Sequence, residues 1–199
     1  MKRNKSVSGY FHLKVIVKIP TTFVQLELET INGDVFVQSV GMDLVVSSTV
    51  NRDVKVKQSQ ASEAILSTVN GEIHVSQSEL IEELDTDVVN GNIVIEEVIA
   101  TSTMNNIVNG DIVISNLYGK EVNASVVNAD FKWNDVYVTS ISINRLNGNI
   151  KLVNEDLNYQ IKSIYKQISI LHLRWPTKIL ISFIYKDTLS SRGHLPFTK

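Results

Sequence analysis

The sequence predicts an all-β, single-domain β-solenoid of about eight to nine coils, each about nineteen residues long. Three observations carry this. A nine-residue motif recurs seven times at nearly constant spacing. Within each copy two apolar residues stand two apart, and another such pair precedes most copies.

The copies are ETINGDVFV (29–37), STVNRDVKV (48–56), STVNGEIHV (67–75), DVVNGNIVI (87–95), NIVNGDIVI (106–114), SVVNADFKW (125–133) and NRLNGNIKL (144–152). Their asparagines are Asn32, Asn51, Asn70, Asn90, Asn109, Asn128 and Asn147, separated by 19, 19, 20, 19, 19 and 19 residues. Regularity of this kind marks stacked supersecondary units. A worn eighth copy, SIYKQISI at 163–170, follows at nearly the same interval.

Three residues after the asparagine stand Val35, Val54, Ile73, Ile93, Ile112, Phe131 and Ile150. Two further on stand Val37, Val56, Val75, Ile95, Ile114, Trp133 and Leu152. Apolar, β-branched residues at period two make a strand with one buried face. Pairs six and four residues before the asparagine, such as Leu26/Leu28, Ala64/Leu66, Val122/Ala124 and Ile141/Ile143, make a second one. Thr103/Asn105 breaks that pattern.

Inward parity changes across the Asn-Gly step, so the chain turns a corner there, at residues that tolerate positive φ. Asn-Gly between apolar runs usually reads as a hairpin turn. Identical columns at a fixed interval favour instead the stacking of like on like. Arg52 and Ala129 replace the glycine in two copies. A left-handed non-glycine costs roughly 1–2 kcal/mol, so the corner is expected to adopt more than one geometry.

A lone coil would not hold. Four or five inward side chains at roughly 1.5–3 kcal/mol each do not offset roughly 1–2 kcal/mol of backbone entropy for each of about nineteen residues. The solenoid therefore needs stacking and capped ends. Residues 1–28 are read as an N-terminal cap strand, alternating through Phe11, Leu13, Val15, Val17 and Ile19, plus the first coil. Residues 29–170 are the repeats and 171–199 a C-terminal cap.

The formal net charge is −2 and no cysteine occurs. That argues against a nucleic-acid partner and excludes disulfides, thiolate metal sites and a cysteine nucleophile. Lys14 and Lys18 interrupt the apolar stretch behind the basic start, so no export signal is expected within the chain. Lys162, Lys166, Arg174 and Lys178 interrupt the apolar C-terminal region, and no membrane span is expected.

The asparagine column is read as a structural amide ladder. Two residues later lies a solvent-facing column: Asp34, Asp53, Glu72, Asn92, Asp111, Asp130 and Asn149. Carboxylates on neighbouring coils would stand about 5 Å apart, near enough to share a cation. Lys55, Lys132 and Lys151 could neutralise them instead, and a solvated charged face without metal or cofactor is the reading adopted. Four residues after the asparagine, Phe36, His74, Val94 and Val113 form a candidate binding face among lysines.

Catalysis is not expected. Short, uniform connections leave little room for a cleft with two set carboxylates. Glu82/Glu83 with Asp85/Asp87, and Glu96/Glu97, are read as solubilising turn residues. His12, His74, His172 and His194 show no ligand spacing.

The T-V-N-G-D-I pattern, entered through VKIPTTFVQLELETINGDV, resembles the bacterial adhesin-like family of β-strand-repeat domains of undefined function. The segment LHLRWPTKILISFIYKDTLSSRG is similar to that family's strand–proline turn–strand element and a worn repeat. The resemblance implies a bacterial binding or scaffolding module with a protein or glycan partner, at the cell envelope or surface. An intracellular or envelope-stress-associated scaffold is the alternative. A polysaccharide-active enzyme on a β-helix is the third reading.

Overall fold

Seven side chains of the strand Ile73–Asn90 point into the core, and their spacing explains the shape of every coil. Ile73 and Val75 alternate inward, then Ser78 and Leu80, then Leu84, Thr86 and Val88. Alternation persists along a straight strand and changes parity only where the backbone bends. Each coil is thus three straight runs joined by three corners.

The computed structural model describes residues 24–153, 160–165 and 180–181. Its strands are β1 (Gln25–Thr30), β2 (Val35–Gln38), β3 (Gly41–Thr49), β4 (Val54–Lys57) and β5 (Gln60–Asn70). Three long ones follow, β6 (Ile73–Asn90), β7 (Ile93–Asn109) and β8 (Ile112–Asn128). Then come β9 (Phe131–Tyr137), β10 (Ser140–Asn147), β11 (Ile150–Val153), β12 (Gln160–Tyr165) and β13 (Leu180–Ile181). All described pairings are parallel and join equivalent positions of successive coils: Ile73 pairs Ile93, which pairs Ile112, which pairs Phe131. The described chain is an all-β solenoid of about seven turns, and the Asn-Gly steps are corners rather than hairpins. The expected cap strand at 11–19, and the C-terminal cap apart from Leu180–Ile181, lie outside the described residues.

Three inward columns escape the reading of the sequence. Ser59, Ser78, Val98, Leu117 and Val136 form one; Ala61, Leu80, Ala100 and Val138 a second. The third is Thr49, Thr68, Val88, Ile107, Val126 and Arg145. Their mixture of small, polar and aliphatic types hides them from an apolar count. Where polar groups enter the core they are mostly satisfied, as burial requires. Asn105 accepts from Thr86 Oγ1 at 2.9 Å and donates to Thr103 Oγ1 at 3.1 Å. Thr103/Asn105 therefore keeps the inward pattern, as a hydrogen-bonded insert.

The corner that recurs in the left-handed conformation is a different one from Asn-Gly. It lies seven residues later, at Ser39, Gln58, Gln77, Glu97, Asn116 and Asp135, with φ between 51° and 55°. None of these is glycine. Buried serines brace two of these corners: Ser59 Oγ and Ser78 Oγ donate to the carbonyls of Lys57 and Ser76. At the Asn-Gly corner only Gly91, Gly110 and Gly148 have positive φ, while Arg52 and Ala129 do not. The corner does take more than one geometry. Gly91 is required twice over, since a Cβ there would also overlap the carbonyl of Gly71 on the neighbouring coil.

The one 20-residue interval is absorbed at the third corner. Ala61 pairs Leu80 but Glu63 pairs Glu83, so Ile81 and Glu82 occupy the space that a single residue takes elsewhere. Thr101 Oγ1 donates to the Ile81 carbonyl at 2.6 Å and ties this bulge to the next coil.

Candidate functional site

Identical amides one coil apart can each donate and accept, and the backbone register sets them at that separation. Asn51 Nδ2 donates to Asn32 Oδ1 at 2.8 Å. The bond recurs from Asn70 to Asn51 (3.0 Å), Asn90 to Asn70 (3.0 Å), Asn109 to Asn90 (2.8 Å), Asn128 to Asn109 (3.0 Å) and Asn147 to Asn128 (2.8 Å). All seven asparagines are exposed, and their ladder runs along the outside of the first corner.

The acidic column beside it has a backbone task. Asp34 Oδ1 accepts the Asp53 N–H at 3.2 Å, Asp53 Oδ1 the Glu72 N–H at 3.0 Å, and Asp130 Oδ1 the Asn149 N–H at 2.7 Å. Asn92 and Asp111 act likewise on Asp111 and Asp130. Short side chains with an acceptor oxygen are what this corner needs, which is why asparagine and aspartate interchange there. Two of the expected lysines neutralise the column: Lys55 Nζ lies 3.1 Å from Asp53 and Lys132 Nζ 2.6 Å from Asp111. Burial acts to raise the Asp53 pKa, but the Glu72 N–H and the Lys55 ammonium together hold it below the usual carboxylate range. Among the described residues no group of three or more histidines or carboxylates is placed to hold a metal ion.

The candidate face Phe36, His74, Val94 and Val113 does form one outward column, yet it is interrupted. Register runs Phe36, Lys55, His74, Val94, Val113, Lys132, Lys151. Phe36 is exposed but separated from the valine pair, and His74 Nε2 lies 3.3 Å from Glu96. His12, His172 and His194 lie outside the described residues. Of the carboxylates read as turn residues, Glu82 lies in the bulge at the third corner and Glu97 at the left-handed corner, whereas Glu83, Asp85, Asp87 and Glu96 stand on the straight runs of β6 and β7. β6 runs without a break through two corners, at Gln77 and at Ile81–Glu82.

A different column is apolar from end to end. The residue just before each ladder asparagine is Ile31, Val50, Val69, Val89, Val108, Val127 or Leu146, and all point outward. Six of them are 38–66% exposed. Its signal stood in the aligned copies, directly before every asparagine, and merged there with the strand's inward pattern. At about 4.8 Å per coil the stripe is about 29 Å long.

On the left-handed corner a shallow groove of about 540 Å³ crosses four coils, lined by Gln58, Gln60, Gln77, Glu79 and Glu97 among others. These side chains bond one another, Gln77 to Glu97 at 3.1 Å and Gln60 to Glu79 at 3.3 Å. Beyond it Tyr118 and Tyr137 stack at 4.8 Å.

Among the described residues no helix is long and apolar enough to cross a membrane. A sequence profile of the Toastrack DUF4097 family matches residues 1–172. No curated protein and no solved structure matches the chain. Because the profile takes in every long coil described above, the chain belongs to the Toastrack DUF4097 family.

Proposed function

We propose that this domain is a non-catalytic binding or scaffolding module that works through the flat outer faces of a rigid rod. The observation that supports it is the continuous outward stripe Ile31–Val50–Val69–Val89–Val108–Val127–Leu146. Scattered exposed valines are ordinary on strands; an unbroken row on a rigid face is the kind of surface that marks interaction sites. β-Branched side chains on strands paired to both neighbouring coils lose little freedom on binding, which favours affinity. On a cell surface such a rod is an adhesin-like module for a protein or glycan; inside the cell it is a scaffold.

The test is to screen the intact chain on combined peptide and glycan arrays while assaying polysaccharides for released reducing ends. Retention of a ligand without turnover is the expected result. Release of sugar, abolished by replacing Glu82, Glu83, Asp85 or Asp87, would establish an enzyme instead. Protease shaving of intact native cells against a cytosolic control then separates adhesin from scaffold.

A further inference from the structure

Charge is strongly segregated in this molecule. Residues 24–153 hold eighteen Asp and Glu against seven Lys and Arg. The segregation is sharper on the longest face of the coil, whose outward columns end in the valine stripe. Its strand segments, 25–31, 44–50, 63–69, 83–89, 102–108, 121–127 and 140–146, contain no lysine and one arginine, and that arginine, Arg145, is buried inside. Glu63, Glu83, Asp85 and Asp87 lie at its centre, with Glu29 and Glu121 towards its two ends. Glu63 and Glu83 are direct cross-strand partners. Like charges so placed are destabilising. Asp87 accepts from Asn106 Nδ2 at 2.8 Å, whereas Asp85 Oδ1 is buried without a hydrogen-bond partner. Beyond the asparagine ladder the stripe is flanked by the second acidic column.

We propose that this face binds a cationic amphipathic α-helix laid along the solenoid axis, its aliphatic side on the valine stripe and its Lys and Arg on the flanking carboxylates. Deepening the binding-module reading, this inference rests on it. Spacing selects a helix over an extended strand. One helical turn advances about 5.4 Å, near the rise of about 4.8 Å per coil. Same-face residues of a strand recur only every ~6.7 Å. A helix of about 20 residues is about 30 Å long and matches the stripe. Its cations would also offset the repulsion that the neighbours Asp87 and Glu83 exert on Asp85.

The test uses the intact chain and three synthetic 21-residue peptides: a Leu/Lys amphipathic helix, a Leu/Glu helix of the same apolar pattern, and an alternating Val/Lys peptide. At physiological salt the Leu/Lys helix should bind at least tenfold more tightly than either other peptide. The fourfold variant Glu63→Gln, Glu83→Gln, Asp85→Asn, Asp87→Asn removes charge without changing shape, and should weaken binding at least tenfold. Lys151→Gln, on another face, should leave affinity within twofold. Equal binding of the Leu/Glu helix, tighter binding of the Val/Lys peptide, or indifference to the fourfold variant would overturn the inference, as would a homodimer closed through the stripe. If array ligands depend on the stripe while the Leu/Lys helix does not bind, the inference falls and the binding module stands. If neither binds through the stripe, both fall.

Discussion

Asn90 Nδ2 donates to Asn70 Oδ1 at 3.0 Å, although these residues are 20 apart and every other rung of the ladder spans 19. The ladder stays in register because the extra residue is confined to the bulge at Ile81–Glu82. Deleting Glu82 should therefore leave the fold intact and the Tm within a few degrees. Deleting His74, between the inward Ile73 and Val75 of a straight run, should turn the following inward side chains outward and abolish cooperative unfolding. Thermal melts of both variants check this.

Asn90 both donates to Asn70 and accepts from Asn109, so Asn90→Ala removes two rungs. At roughly 0.5–1.5 kcal/mol for each net bond, the loss is about 1–3 kcal/mol. The Tm should fall by about 2–12 °C. Asn32→Ala, which removes the single rung to Asn51, should cost about half as much. An unchanged Tm in Asn90→Ala would make the ladder decorative.

The glycines divide sharply. Gly91→Ala combines a left-handed φ with overlap on the Gly71 carbonyl and should destabilise by at least about 2 kcal/mol. Gly41→Ala meets no atom within 4 Å and should be neutral or stabilising by about 0.4–1 kcal/mol. Chemical denaturation distinguishes them.

Most of the core was legible because Ile73, Val75, Leu84 and their column mates repeat an apolar type at a fixed interval. The columns through Ser78, Leu80 and Val88 were not, because serine, threonine, alanine and arginine dilute them. The left-handed corner at Gln77 was invisible for another reason: a residue adopts that conformation here because the coil must close, and no glycine marks it. The ladder asparagines stood out for their invariance, which drew attention from the valines immediately before them. On the candidate face of Phe36, His74, Val94 and Val113, the shared column was readable but the interruption by Lys55 mattered more.

Asp85 offers a pH signature. Burial, then Asp87 and Glu83, hold its carboxyl above the usual range. The folded state therefore binds this proton more tightly than the unfolded chain does, and the penalty is full above the folded pKa. As pH falls below that value the penalty declines, and it is gone below the unfolded pKa. Asp85→Asn should raise the Tm at pH 7 and give no gain at pH 3, where the native carboxyl is already protonated. A gain of equal size at both values would assign the effect to packing rather than charge.

Arg145 is 2% exposed, and its Nε and Nη1 have no hydrogen-bond partner among the described residues. It occupies the inward column of Val88, Ile107 and Val126, where burial disfavours the cation and the charge of Asp130 offsets that only in part. Arg145→Leu should hold or raise the midpoint of unfolding.

The binding reading is tested most directly by titrating an array ligand against the intact wild-type chain and the variant Val69→Thr, Val89→Thr, Val108→Thr. Threonine keeps the β-branched shape and strand preference and replaces one outward methyl per coil. With the Tm unchanged, affinity should fall at least tenfold, about 1.4 kcal/mol. Equal affinity in wild type and variant would contradict the assignment of the binding surface to this stripe.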